Sequence, residues 1–363
     1  MAALDYDLMI VGGGPAGIST WLHLHKLDPA LAARAVVIEQ ATYPRDKLCG
    51  GGVTRQADLV LGRLRVKLKT PSVPIHRVEL RFGARTYYLE QRDVFRVVRR
   101  HEFDHALAQS AVKRGLHLRQ GEAFQAFERA GGYLCVATSR GDYRVRALVG
   151  ADGARSVVRR RLRPPEKVRL SRLIEILTPA EAQGDRAFAE HTAVLDFSPL
   201  AEGLQGYVWD FPCLEQGTAR LNRGVFDSRV RPDRPMADLK AIFGRALHMR
   251  GAYQAPATWL GHPERWFSEQ NTVAAPQVLL VGDAAGVESA FGEGISQALL
   301  YGDVAAPILV EAFRRGDFSF ANYQAALLAH PLGKSLRFQT RLAKKMYAGG
   351  PEAAARLLAR WLK

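Results

Sequence analysis

A short apolar run, Leu8-Met9-Ile10-Val11, breaks directly into Gly12-Gly13-Gly14-Pro15-Ala16-Gly17. Few features limit a fold as tightly as this one. The run is too short for an amphipathic helix and reads as a buried strand. Ile18, Trp21, Leu22, Leu24 and Leu27 then recur at helical spacing, and a second apolar strand runs from Ala35 to Glu39. Strand, turn, helix, strand is the βαβ unit of a parallel sheet. Gly12, Gly14 and Gly17 would let a pyrophosphate approach the backbone at the positive end of the helix. Glu39, closing the second strand, could accept ribose hydroxyls. A tight turn that merely needs glycine is the plainer reading, but it explains neither the helix nor the acid.

This pattern does not separate NAD from FAD. Two later segments do. Gly150-Ala151-Asp152-Gly153-Ala154-Arg155-Ser156 ends an apolar strand and opens a basic helix, and Gly282-Asp283-Ala284-Ala285-Gly286 ends the Val278–Val281 strand. An acid at such a strand end can bind ribityl hydroxyls, while glycines and the next helix N-terminus receive phosphate or the flavin pyrimidine. Each alone could be a polar turn; all three in this order favour a flavin.

Alternating stretches near residues 77–90 and 192–226 read as antiparallel strands, with a helix around Met236–His248 and another from about Glu293. The expected fold is α/β: a Rossmann-type FAD-binding domain with a parallel sheet (1–70, 95–165 and 270–315), interleaved with an α+β substrate domain on an antiparallel sheet (71–94 and 166–269). A C-terminal helical segment covers 316–363. The 363 residues, 47% hydrophobic and 24% charged, suit a soluble globular chain, and no apolar run is long enough to span a membrane. Three scattered cysteines and an N-terminus without a basic leader point to the cytoplasm. The net charge of +15 is either a solvated arginine-rich surface or attraction to an anionic cofactor, substrate or membrane face. No nucleic-acid-binding pattern accompanies it.

At this point the chain resembles the flavoprotein family of para-hydroxybenzoate hydroxylase and, within it, the geranylgeranyl reductase group. Tyr43-Pro44-Arg45-Asp46-Lys47-Leu48-Cys49-Gly50-Gly51-Gly52, Arg100-His101-Glu102-Phe103-Asp104, Tyr207-Val208-Trp209-Asp210-Phe211-Pro212 and Gly292-Glu293-Gly294-Ile295 carry the likeness. It implies that Gly12, Gly14, Pro15, Ala16, Gly17, Glu39, Gln40, Arg100, Asp152, Gly153, Gly282, Asp283, Gly292, Gly294 and Ile295 hold FAD. It also implies that Arg45, Cys49, Gly50 and Gly51 line the isoalloxazine. Cys49 would lie near the substrate double bond, and Arg45, Lys47 and backbone amides could lower its pKa; a small buried filler is the alternative. Tyr207, Trp209 and Phe211 alternate, so they share a strand face and could form an aromatic wall for an apolar substrate, or simply pack a core. The family usually has proline in the loop before Gly292, whereas this chain has Val287-Glu288-Ser289-Ala290-Phe291. Glu288 there could donate a proton, bind a cation, or be a solvated loop carboxylate.

The likeness implies a reductase passing hydride from reduced flavin to carbon–carbon double bonds of a prenyl or other lipid-like substrate. A monooxygenase acting through a flavin hydroperoxide on an aromatic or polyketide-like molecule is the first rival, and a flavin-dependent halogenase a more distant one. A lipid-surface protein that merely retains FAD is the non-enzymatic rival. NADPH or NADH is the expected reductant, with ferredoxin a further option. His101-Glu102-Phe103-Asp104-His105 matches a zinc-protease pattern, but the same residues open the flavoprotein helix, so no metal is expected. In the tail, Leu332, Leu336, Leu342 and Met346 interleave with Lys334, Arg337, Arg341, Lys344 and Lys345. That pattern suits an anionic membrane face, or a helix that packs its apolar side on the protein.

Overall fold

Apolar runs without alternation become the inner strands of a mostly parallel sheet in the computed structural model, which describes residues 4–164, 167, 169–252 and 259–361. Residues 1–3, at the N-terminal stretch expected to lack a leader, lie outside them. Tyr6–Val11 lies between Ala35–Glu39 and Gly141–Gly150, parallel to both, with His117–Gln120 and Val278–Leu280 outside them. Every residue of Ala35–Glu39 is buried, as expected of a strand covered on both faces.

Two helices fix the phosphate end of this sheet. Pro15–Leu27 begins immediately after the first strand, with Pro15 supplying a preset φ at the position that needs no amide bond. Ile295–Arg315 packs along it so closely that a Cβ on Gly302 would lie 2.7 Å from the Ser19 backbone. The Ser19 hydroxyl donates to the Leu299 carbonyl at 2.6 Å across the same contact. Both helix N-termini are therefore held at the C-terminal edge of the strands.

The second sheet has eight strands, in the order 260–265, 170–179, 218–227, 206–215, 192–196, 72–82, 85–98 and 52–54. All neighbours are antiparallel except Thr192–Asp196 against Ser72–Phe82. The expected strands near 77–90 and 192–226 are thus present, and the expected helix is Leu239–Met249, started by the Asp238 side chain accepting from the Ala241 amide. That helix covers one face of the sheet through Ile242, Phe243 and Leu247 against Ile176, Val208 and Val225. The opposite face carries Tyr207, Trp209 and Phe211, which share a buried core with Ala290, Met346, Tyr347 and Leu358. Since Gly52–Thr54 and Ser72–Val98 belong to the second sheet and His117–Gln120 to the first, the chain passes repeatedly between the two.

Three helices form the tail: Tyr323–Ala329, Pro331–Met346 and Pro351–Trp361. Leu332, Leu336, Leu342 and Met346 are buried against the protein. This apolar stripe packs on the protein. No described helix is long and apolar enough to cross one.

Candidate functional site

The first strand stops at Gly12, where φ is +107° and a Cβ would lie 2.4 Å from the Ala151 carbonyl oxygen, so only glycine fits. Gly14 then caps the helix without any side-chain hydrogen bond, leaving its first amides facing outward. A Cβ on Gly14 would meet only Arg45 Nη2, at 3.5 Å. Glu39 is buried and accepts from the amides of Gly13 at 2.8 Å and Ala41 at 3.0 Å. Gln40 beside it is exposed. The second helix is likewise uncapped by any side chain at Gly294. Two uncapped helix ends and a buried acid at the strand edge fit the pyrophosphate, ribose and pyrimidine of a flavin dinucleotide.

Arg45 does not sit where a ring-side residue would. Its guanidinium lies 3.5 Å from Glu39 and 3.3 Å from Asp104, close to Gly14 and the phosphate end. The two carboxylates draw it there. Asp104 also takes a bidentate pair from Arg100 at 2.8 Å on each side, so one buried acid positions both arginines.

Asp152 is engaged within its own segment. Its oxygens accept from the Ser156 hydroxyl at 2.5 Å and the amides of Val157 at 2.6 Å and Val158 at 3.0 Å. It caps the helix Val157–Leu162. Asp283, in contrast, remains partly exposed at the end of the Val278–Leu280 strand. Its loop is held by the fully buried Arg265, whose Nη1 donates to the Ala285 carbonyl at 2.6 Å.

The Cys49 segment lies beneath the aromatic face. Gly51, at φ +80°, turns there so tightly that a Cβ would fall 2.1 Å from the Val98 carbonyl oxygen. Tyr207, Trp209 and Phe211 follow one another with ring centroids 6.3 Å apart, and a Cβ on Gly50 would lie 3.2 Å from the Phe211 ring. Asn222, level with Phe211 in the sheet, accepts from the Trp209 indole at 2.9 Å and donates to the Cys49 carbonyl at 3.0 Å. Burial pushes the Cys49 thiol up, against the pull of Arg100 and of the Gly51 amide at 3.4 Å. The lowered thiol pKa expected from Arg45 and Lys47 is thus reversed: Arg45 is held elsewhere, and desolvation outweighs the nearby charge.

Polar residues that sequence reasoning missed share this face. Glu175, His262 and Glu264 sit in adjoining strands, and strand pairing sets Leu173 opposite His262 and Ser171 opposite Glu264. The Lys47 ammonium donates to His262 Nε2, and burial holds the imidazole down to about 3, hence neutral. Burial raises the carboxyls of both Glu175 and Glu264. Isolated polar residues in otherwise ordinary strands give no sequence signal; only the register brings them together.

Glu288 is neither solvated nor free. It is 1% exposed and accepts from the amides of Ala290 at 2.6 Å, Phe291 at 2.8 Å and Glu293 at 2.6 Å. Burial raises its carboxyl to about 7. The same loop gives its carbonyls to three hydroxyls: Tyr207 on Phe291, Ser228 on Ser289, and Tyr347 on Ala290. Glu288 therefore shapes the loop that leads into Gly292–Ile295. At the zinc-like pattern, His105 stacks on Tyr43 with centroids 6.0 Å apart, and among the described residues no group of three or more His, Cys, Asp or Glu is arranged to hold a metal ion.

Residues 5–295 match the FAD binding domain family, and the chain belongs to it. It is an FAD-dependent oxidoreductase of the para-hydroxybenzoate hydroxylase superfamily. It is 28% identical over 364 residues to a menaquinone reductase of Mycobacterium tuberculosis, covering 93% of this chain and 83% of that protein. Among solved structures it is similar to a geranylgeranyl bacteriochlorophyll reductase-like protein of Thermoplasma acidophilum, with a TM-score of 0.76 at 18% identity over 96% of this chain and 89% of that one. It is also similar to PqsL of Pseudomonas aeruginosa, with a TM-score of 0.73 at 19% identity over 98% and 99%.

Proposed function

We propose that this enzyme reduces carbon–carbon double bonds in a prenyl or other lipid-like substrate. The observation that carries this reading is the aromatic wall of Tyr207, Trp209 and Phe211 laid directly over Cys49 and Gly50, at the edge of the dinucleotide-binding sheet. An apolar chain gains by leaving water for such a wall, and it needs few polar contacts there. The names of the mycobacterial relative and the Thermoplasma structure support the same substrate class.

FAD, when bound, supplies the hydride chemistry. The residues present supply binding and proton control. Gly12–Gly17 and Gly292–Ile295 would receive the dinucleotide on their backbone amides, and Glu39 its ribose. Trp209 and Phe211 exclude water from the reacting carbons. Asn222 fixes the Cys49 backbone, and the raised pKa keeps a proton on Cys49 Sγ near neutral pH. NADPH or NADH is the proposed reductant.

The test is product analysis. The FAD-loaded enzyme, chemically reduced, is mixed with menaquinone and with a geranylgeranyl lipid, with and without oxygen. A prenyl chain two hydrogens heavier in the absence of oxygen, with the gain retained after the quinone ring is reoxidised, supports reduction. Product that forms only with oxygen, carrying an added hydroxyl, would replace this reading with oxygenation.

A further inference from the structure

A second concave site lies outside the flavin cradle, where the strand Leu260–Arg265 runs out toward the tail. The cleft encloses about 480 Å³ and is lined by Arg169, Trp266 and the 267–270 turn on one side and by Arg337, Thr340, Arg341 and Lys344 on the other. The last four share one face of the helix Pro331–Met346, being spaced by three, one and three residues. Its apolar face is buried, as described above, so the basic face is what this helix offers.

Three hydrogen-bond donors in the lining have no partner among the described residues: Arg169 Nη1, Trp266 Nε1 and Thr340 Oγ1. Trp266 is 4% exposed and Thr340 9% exposed, so neither residue can turn freely to water. Buried donors left unpaired are costly, and three on one cleft call for a shared acceptor. Arg169 also lies over the Trp266 ring, 5.4 Å from its centroid. Four cations meet one carboxylate, Glu269, which is 3.9 Å from Arg337. Metal cations would find little here; an anion with several acceptor oxygens would find donors and charge together, and the number of donors and cations favours the three or more oxygens of a phosphate over the two of a carboxylate.

We infer that this cleft binds a phosphate or pyrophosphate group, either of a soluble molecule or of a lipid headgroup. The site adjoins the flavin loop, since Trp266 pairs with Val287 and the Phe267 amide donates to the Val287 carbonyl at 2.7 Å. The inference stands independently of the reading of the reduced substrate.

The experiment uses the full-length, FAD-loaded protein. Inorganic pyrophosphate is titrated by calorimetry, and vesicles of phosphatidylglycerol or phosphatidylcholine are tested by flotation. The variants are Arg341→Ala with Lys344→Ala, on the surface, and Trp266→Phe, which removes only the indole N–H. We expect pyrophosphate to bind and the double variant to weaken it about tenfold or more, with FAD content unchanged. Selective flotation with phosphatidylglycerol, lost in the double variant, would assign the site to a headgroup; pyrophosphate binding without flotation would assign it to a soluble phosphate. If neither probe binds, or if binding is as strong in both variants as in the wild type, the inference is overturned.

Discussion

The side-chain amide of Asn222 donates to the backbone carbonyl of Cys49 across 3.0 Å, joining the substrate sheet to the cofactor-side segment. The same side chain accepts from the Trp209 indole at 2.9 Å. One residue, 1% exposed, thus sets the distance between the aromatic wall and the thiol.

Replacing Asn222 by Leu leaves a buried carbonyl and a buried indole N–H unpaired. The expected cost is about 1–3 kcal/mol of stability. Activity toward the apolar substrate should fall further than stability alone explains, because Cys49 and Trp209 lose their common anchor. Thermal melts compared with steady-state rates on the folded variant check this; unaltered rates would remove Asn222 from the site.

Asp152 is read as a helix cap. Asp152→Ala should therefore lower stability by about 1 kcal/mol through the loss of the cap on Val157–Leu162. FAD affinity should stay unchanged. A large loss of FAD affinity at unchanged melting temperature would instead place Asp152 on the cofactor, as the family resemblance implied.

The Glu288 carboxyl gives a pH signature. Its value in the folded protein is about 7, above the ordinary 4.5, so the folded state binds its proton more tightly than the unfolded chain does. Its contribution to stability is thus greatest below pH 4.5, declines as pH rises through this window, and levels off above 7. Glu288→Gln should remove that slope from a plot of unfolding free energy against pH. The variant should also loosen the Ala290–Glu293 loop, because an amide N–H would face backbone amides that now donate to a carboxylate oxygen. Identical slopes for wild type and variant would show that Glu288 does not titrate there.

The parallel sheet was legible from the sequence because continuous apolar strands and a glycine turn have few other uses. Gly12–Gly17 form the turn into the first helix, Glu39 ends the second strand, and Tyr207, Trp209 and Phe211 share one strand face. What sequence could not show is competition for each charged group. Arg45 carries the right chemistry for the ring side, yet Glu39 and Asp104 hold it at the phosphate end. Asp152 and Glu288 look like free acids in one dimension, but backbone amides a few residues on claim both. Cys49 has cationic neighbours in sequence, while its pKa is set by burial, a property of the assembled fold. His262 and Glu264 were invisible because strand register alone brings them to the site.

FAD binding by a Gly14→Leu variant tests the central claim most directly. A Cβ at this position meets nothing closer than Arg45 Nη2 at 3.5 Å, so the fold should tolerate the change while the side chain enters the space facing the helix amides. Titrated with FAD and followed by flavin fluorescence, wild-type protein should bind one equivalent, and the variant should retain its melting temperature and bind none. A folded variant that binds FAD as tightly as wild type would contradict the account.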